Sequence, residues 1–156
     1  MSITIEKTFL TSIEALYDIE RKSFGEEAFT RSQIATLLTD PNTISFAASL
    51  NGEIVGFIIA LVEVIRRKPS GHITTIDVKP QHQRLGIGER LLNAVEVQLK
   101  SKGVDECCLE VLEDKIAAIA LYAKKGYTNV SRLEKYCGRS HCLHLRKKLT
   151  PERSIS

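Results

Sequence analysis

The segment that decides the fold is Gly71–Leu92, GHITTIDVKPQHQRLGIGERLL. Its first part, His72 to Val78, is rich in Ile and Thr and reads as a strand. Its middle, Lys79 to Arg84, is polar and contains Pro80. Gly86 and Gly88 then open a helix that runs to about Lys102. Ile87, Leu91, Leu92, Val95 and Leu99 fall on one stripe of that helix, with Glu89, Asn93, Glu96 and Lys100 on the other side. Gly103 supplies the C-cap, and Glu106 to Leu112, with CCLEVL at its centre, is the next strand. A strand–helix–strand unit implies two parallel strands joined by a right-handed crossover.

The elements continue on both sides. Ile3 and Ile5 alternate with polar residues and predict an opening strand. Thr11 or Ser12 caps a first helix to about Lys22, ended by Gly25. Thr30 caps a second, Arg31 to about Thr39, stopped by Asp40-Pro41. Ile44 to Leu50 and Glu53 to about Ile65 are strands joined by Asn51-Gly52, the strongest hairpin signal in the chain. Arg66 to Gly71 reads as a basic loop. Lys115 to Lys125 predicts a short apolar helix closed by Gly126. Tyr127 to Lys135 and Cys142 to Leu149 are final strands around a turn near Gly138. One domain, 1–149, and a loose polar tail, 150–156, are expected.

Composition sets the class. The 156 residues are 43% apolar and 26% charged, as in an ordinary globular domain. The net charge of +3, from 22 basic and 19 acidic side chains, is too mild to argue for nucleic acid. No apolar run is long enough for a membrane span, and MSITIEKTF lacks a signal-peptide layout. Four cysteines without a secreted framework point to a reducing, cytoplasmic setting.

Gln83-Arg84-Leu85-Gly86-Ile87-Gly88 lies between a strand and a helix. The first turn of a helix has unpaired N–H groups and a partial positive charge. Two glycines there let a phosphate approach the backbone, so the loop is an anion cradle suited to a pyrophosphate. The dinucleotide fingerprint fails because Leu91 stands where its third glycine belongs. The Walker loop fails because Glu89-Arg90 follows Gly88. By spacing alone, the same glycines also make an ordinary strand-to-helix turn.

The pattern Gln/Arg-x-x-Gly-x-Gly/Ala after a strand resembles the acetyl-CoA signature of the GNAT N-acetyltransferases. The resemblance covers about Ile3 to Leu149 and includes LEVLEDKIAAIALYAKKGY, with the family's ALY-x-K-x-GY ending. It implies the GNAT fold: a mixed α/β sheet of about seven strands with four helices, in the order β-α-α-β-β-β-α-β-α-β-β. Within the family the chain is most similar to protein N-terminal (Nα) and ribosomal-protein alanine acetyltransferases. The supporting residues are Ser23-Phe24, Ala28-Phe29-Thr30, Gly71-His72-Ile73, Leu109-Glu110-Val111 and Tyr136. The chain departs from the family at Lys115, where Asn is common, and at Tyr136-Cys137, where the subgroup has a double tyrosine.

The resemblance implies acetyl-CoA as cosubstrate and a protein N-terminus or a small amine as acceptor. Its pyrophosphate would sit on Gln83, Arg84, Leu85, Gly86, Ile87, Gly88 and Glu89, with Lys115 a further contact. Ile76, Asp77 and Val78 would line the pantetheine through their backbone. Tyr122 is the implied general acid; by spacing alone it reads as a core aromatic on an apolar helix. Glu110 lies inside an apolar strand, where a carboxylate is costly unless paired or functional. It is a candidate base, directly or through water, or else a residue on a solvated edge. His72 begins the neighbouring strand and suits proton relay near neutrality, or is a surface histidine. Glu26, Glu27, Phe29 and Tyr136 are the implied acceptor-binding residues.

Cys137, His141, Cys142 and His144 cluster in sequence, but C-x3-H-C-x-H is not a usual zinc spacing and no metal is expected. A Cys137–Cys142 bridge fits a hairpin geometrically but not a reducing cytosol. The basic runs at Arg66 and Arg146 lack interleaved aromatics, so no direct nucleic-acid binding is expected, although the first could attract an anionic substrate or the ribosome. The resulting reading is an acetyl-CoA-dependent amine N-acetyltransferase, monomer or homodimer, acting on protein N-termini. The rivals are a small-amine (polyamine or aminoglycoside) acetyltransferase and a non-catalytic acyl-CoA-binding module.

Overall fold

Asn51 and Gly52 have positive φ, 52° and 80°, in the computed structural model of the chain. The structure describes residues 2–137 and 140–149, with backbone alone at 135–137. Those two dihedrals are what a two-residue hairpin needs if its turn is to follow strand twist. The turn joins β2 (Thr43–Leu50) to β3 (Glu53–Ile65), which pair antiparallel. β1 (Ile3–Lys7) pairs antiparallel with β2.

Two helices precede β2: α1 (Ile13–Phe24) and α2 (Arg31–Thr39). Thr30 is extended and its hydroxyl accepts the Gln33 N–H, while the Gln33 side chain accepts the Thr30 N–H, forming a capping box. The cap expected at Thr11 or Ser12 does not form. Ser12 sits at ψ 3°, not extended, so its oxygen is not aimed at the helix N–H groups. A 3-10 turn, Leu10–Ser12, feeds the chain into α1 instead.

β4 (Lys68–Val78) starts earlier than the sequence predicts. The loop is only Arg66-Arg67, both at positive φ (52° and 67°), so Lys68 to Gly71 is already strand. Gly71 is there for close approach: a Cβ would lie 2.5 Å from Cδ1 of Leu99. α3 (Ile87–Ser101) follows, then β5 (Glu106–Leu112), α4 (Ile116–Lys124), β6 (Thr128–Cys137) and β7 (Ser140–Lys148). α3 ends in a Schellman motif, with the Gly103 N–H on Lys100 O and the Val104 N–H on Leu99 O. Its predicted stripe is buried, but Glu96, expected on the solvated side, is buried too, one turn below Leu92. Val97, an apolar residue of the same helix, is exposed instead.

The seven strands order as β1-β2-β3-β4-β5-β7-β6. β4 and β5 are parallel, as the crossover required, over Gly71↔Cys107, His72↔Cys108 and Ile73↔Leu109. The strand and helix order is that of the GNAT fold. Among the described residues, no helix is long and apolar enough to cross a membrane. The turn at 138–139 and the tail at 150–156 lie outside the described residues.

The contacts divide the chain into two compact units. The first runs to Leu61 and includes Thr74–Gln98; the second is Val62–Ile73 with Leu99 onward. The first has a core of Leu16, Ile19, Ile34, Ala47, Phe57 and Ile59. The second is built on the β5–β7–β6 ladder and buries Cys107, Leu109 and Leu145. Cys107 and Cys108 take part in no disulfide, whereas Cys142 is disulfide-bonded, which corrects the expectation of reduced cysteines throughout. The β6–β7 hairpin is where the sequence allowed a cross-strand bridge; the Cys137 side chain lies outside the described residues.

Candidate active site

In the first unit, β4 ends at Val78 and a 3-10 turn, Pro80–His82, leads to the cradle. Arg84 and Gly86 adopt left-handed conformations, φ 66° and 76°. They fold the loop back so that the Gly86 carbonyl accepts the Arg90 N–H, 3.1 Å, and starts α3. Ile87 is buried and pins the helix start, while Gln83, Arg84, Leu85 and Gly86 are exposed and Gly88 and Glu89 half-buried. A Cβ built on Gly86 would meet nothing within 4 Å, so the space over the loop is open.

Along β4, Thr74, Ile76 and Val78 share one face and Thr75 and Asp77 the other. Asp77 is buried, so only its backbone is available to a ligand on the Ile76 face. The Thr74 hydroxyl and His82 Nδ1 are buried and have no hydrogen-bond partner among the described residues. Unpaired buried polar atoms are costly in a protein interior, and a bound ligand can satisfy them.

The expected acceptor loop, Gly25–Glu27 and the residues after it, is fixed from below. Glu20 is 2% exposed, and its carboxylate accepts the Phe29 N–H at 3.0 Å and the Thr75 hydroxyl at 2.8 Å. Glu26 and Phe29 line a cavity of about 300 Å³ together with Tyr17, Arg21 and Thr30. Glu27 is exposed and is not among the lining residues.

The second unit holds the ionisable cluster. β5 lies between β4 and β7, so Glu110 is on an interior strand and not on a solvated edge. Its side chain is 16% exposed. His72 Nε2 lies 2.7 Å from Glu110 Oε1, and His144 Nδ1 lies 2.9 Å from Oε2. His72 Nδ1 is 3.5 Å from the Glu63 carboxylate. Four strands thus contribute an alternating row, Glu63–His72–Glu110–His144. Burial raises the Glu110 pKa, but the hydrogen bond and charge of His72, with the hydrogen bond of His144, outweigh it and hold the group below the usual carboxylate range. The hydrogen bond to Glu110 raises His72 above the usual imidazole range against the opposing effect of burial, and Glu63 adds to it. The Cys108 thiol, on the same face, is pushed up to about 11 by burial and then by Glu110, Glu106 and Glu63. It is therefore not a nucleophile near neutrality.

Tyr122 is buried on α4, edge-to-face with Tyr127 at 6.0 Å. Lys115 is the N-cap residue of α4 and makes no side-chain cap bond. Tyr136 is within β6, and its side chain lies outside the described residues. Among the described residues, one potential ligand atom from each of Cys108, Glu110 and His144 lies within 4.8 Å of the others; the Cys137 side chain of the sequence cluster lies outside them.

A family model described as the Acetyltransferase (GNAT) family matches residues 13–127. The chain belongs to the GNAT acetyltransferase family. It is an acyltransferase of the N-acetyl type. This GNAT chain is 30% identical over 141 residues to an N-alpha-acetyltransferase of Sulfurisphaera tokodaii, covering 85% of this chain and 84% of that protein. It is 28% identical over 137 residues to the [ribosomal protein bS18]-alanine N-acetyltransferase of Escherichia coli K12, covering 85% and 86%. In fold it is similar to Arabidopsis thaliana NAA60, solved in complex with acetyl-CoA, with TM-score 0.85, 18% identity and coverage of 95% and 99%.

Sequence reasoning placed His72 near Glu110, and the structure joins them. It missed three members of the GNAT chain's polar architecture. Glu63 and His144 reach the cluster only through strand register, which spacing within one segment cannot show. His144 had a weak signal, since it alternates with Cys142 and so shares a strand face with it. Glu20 is buried on α1, where nothing in its local sequence marks it as an anchor for residues 9 and 55 positions away.

Proposed function

We propose that this GNAT enzyme transfers the acetyl group of acetyl-CoA to a primary amine, the N-terminal α-amino group of a protein. The observation that carries the reading is Glu110, an interior-strand carboxylate held by imidazoles at 2.7 and 2.9 Å in a chain of this family. The acceptor rests on relatives of 30% and 28% identity that act on protein N-termini or a ribosomal protein's alanine. The cosubstrate fits what the first unit offers: an open glycine loop at a helix start and an orphaned Thr74 hydroxyl on the Ile76–Val78 face.

When bound, acetyl-CoA supplies the activated acetyl thioester. Gln83 to Glu89 hold its pyrophosphate through backbone N–H groups and the partial charge of the α3 N-terminus. The backbone of Ile76, Asp77 and Val78 aligns the pantetheine, and an N–H of that strand polarises the carbonyl. Lys115 adds a cationic contact at the start of α4. The ionisable cluster around Glu110 and His72 takes a proton from the acceptor ammonium, directly or through water. The Tyr122 phenol, with a reference pKa near about 10, protonates the leaving thiolate. Glu26, Glu27, Phe29 and Tyr136 bind the acceptor.

The test is incubation with acetyl-CoA and two panels, N-terminal peptides and free polyamines. Acetylated peptides with unmodified polyamines are expected. Acetylated polyamines alone would select the small-amine reading, and tight acetyl-CoA binding without any product would select a binding module. Tyr122→Phe is expected to cut turnover by about 10-fold or more with cofactor affinity intact. An unchanged rate removes Tyr122 from the acid role.

A further inference from the structure

The two imidazoles on Glu110 are not equivalent. His72 has both ring nitrogens against carboxylates, Nε2 at 2.7 Å from Glu110 and Nδ1 at 3.5 Å from Glu63. A ring flanked in this way is stabilised as the imidazolium, and an imidazolium has no lone pair to offer. Among the described residues, His144 is paired with one carboxylate. Its Nδ1 lies 2.9 Å from Glu110 Oε2, and its Nε2 has no hydrogen-bond partner among the described residues. An ionised carboxylate only accepts, so both rings must donate to Glu110. Donation through Nδ1 fixes neutral His144 in the tautomer whose lone pair is on Nε2. The side chain is 23% exposed, so the ring is accessible to an amine or a water.

The surroundings of His144 leave that nitrogen uncontested. On β5 its same-face neighbours are Glu110 and the protonated Cys108 thiol, and Glu106 is held by Arg146 of β7 at 2.7 Å. Ser131 of β6 stands opposite in register, and Arg132 of β6 is taken by Glu113 and Glu134. His72 of β4 and Glu63 of β3 lie beyond Glu110.

We propose that Nε2 of His144 is the atom that takes the acceptor amine's proton, with Glu110 orienting the ring and His72 locking Glu110. This rests on the acetyl-transfer reading. The ammonium N–H bond breaks and an Nε2–H bond forms, directly or through one water. The freed amine lone pair forms the bond to the thioester carbonyl carbon, the C–S bond breaks, the thiolate takes the Tyr122 proton, and the second proton lost from the acylated nitrogen returns through water to the Tyr122 phenolate. The imidazolium then releases its Nε2 proton to solvent while its Nδ1–H stays on Glu110. The arrangement matches the general logic of a base whose tautomer is set by a carboxylate behind it.

Two measurements test this, one of them independent of activity. Nitrogen-15 NMR of labelled histidines at neutral pH is expected to show His144 as the Nδ1–H tautomer and His72 doubly protonated. In Glu110→Gln the His144 tautomer preference is expected to weaken and the His72 titration to shift to lower pH. His144 as the Nε2–H tautomer, or His72 neutral at that pH, overturns the proposal. In the kinetic arm, His144→Asn keeps a donor near the Nδ1 position and removes the base. A fall in kcat of about 100-fold or more is expected, with KM for acetyl-CoA unchanged. Added imidazole is expected to restore turnover to His144→Ala but not to His72→Ala. Full activity in His144→Asn, or a loss that imidazole never rescues with an unchanged pH profile, overturns the proposal. A wild-type protein that acetylates no amine defeats the acetyl-transfer reading instead, and the tautomer measurement still decides the nitrogen.

Discussion

The cradle of the first unit and the ionisable cluster of the second are made of different materials. The cradle is backbone: two left-handed residues, Arg84 and Gly86, and the start of α3. The cluster is side chain: Glu63, His72, Glu110 and His144, each from its own strand. A backbone device is encoded locally, by glycines at fixed offsets from a helix start. A side-chain device is encoded by register, so a single residue means little until its cross-strand partners are known. The first tolerates change at its flanking side chains, and the second tolerates change in its backbone only where the ladder holds.

Gly86→Glu is the hardest way to break the backbone half. It places an L-residue at φ 76° and a negative charge over the proposed pyrophosphate site. Acetyl-CoA affinity is expected to fall by about 100-fold or more in calorimetry, with peptide binding unaffected. Unchanged affinity would remove the cradle from cofactor binding. Glu110→Gln breaks the side-chain half. It is expected to lower kcat by about 100-fold and to leave acetyl-CoA affinity as it was, which separates the two halves cleanly. Weakened cofactor binding in that variant would blur the distinction.

Gly71→Ala tests the ladder under the cluster. The new methyl would lie 2.5 Å from Leu99, whose side chain is fully buried. A loss of about 1–3 kcal/mol in denaturant unfolding is expected. Adding Leu99→Ala should recover part of it, and strict additivity would show that the close approach is not the cause. The smallest effect is the pH dependence of stability. His72 is raised on folding, so its contribution is present at lower pH and fades as pH rises through its folded value. Glu110 is lowered, so its contribution is present at higher pH and fades as pH falls through its folded value. The two describe one ion pair, counted once. The stability difference between wild type and His72→Gln should be widest between those limits and shrink on both sides. A flat difference would show that the pair adds nothing to folding.

Much of the fold was legible because its signals are local. Asn51-Gly52, the capping residue Thr30 and the stripe from Ile87 to Leu99 each say what they form without reference to the rest of the chain. Errors came where a tertiary contact overrides the local signal. Gly71 looked like a loop residue and is a strand residue making room for Leu99. Glu96 looked solvated and is buried. The Arg66-Arg67 turn contains no glycine or asparagine, so nothing marked it as a two-residue hairpin. In the candidate site, the turn before α3 is marked by the glycines at the helix start, and Glu110 stands out as a charge in an apolar strand. His144 and Glu63 do not, because the antiparallel pairing of Glu110 with His144 joins residues 34 positions apart.

The double attachment of Glu20 has a consequence for engineering. One carboxylate ties the backbone at Phe29 to the hydroxyl of Thr75, so the loop bearing Glu26 and Glu27 is anchored beneath its outward-facing side chains. A library that randomises Glu26 and Glu27 while preserving Glu20 and Thr75 should therefore sample new acceptor preferences on a fixed scaffold. Releasing the anchor would instead give variants whose selectivity drifts with temperature, since the loop's own main chain would become one of the variables.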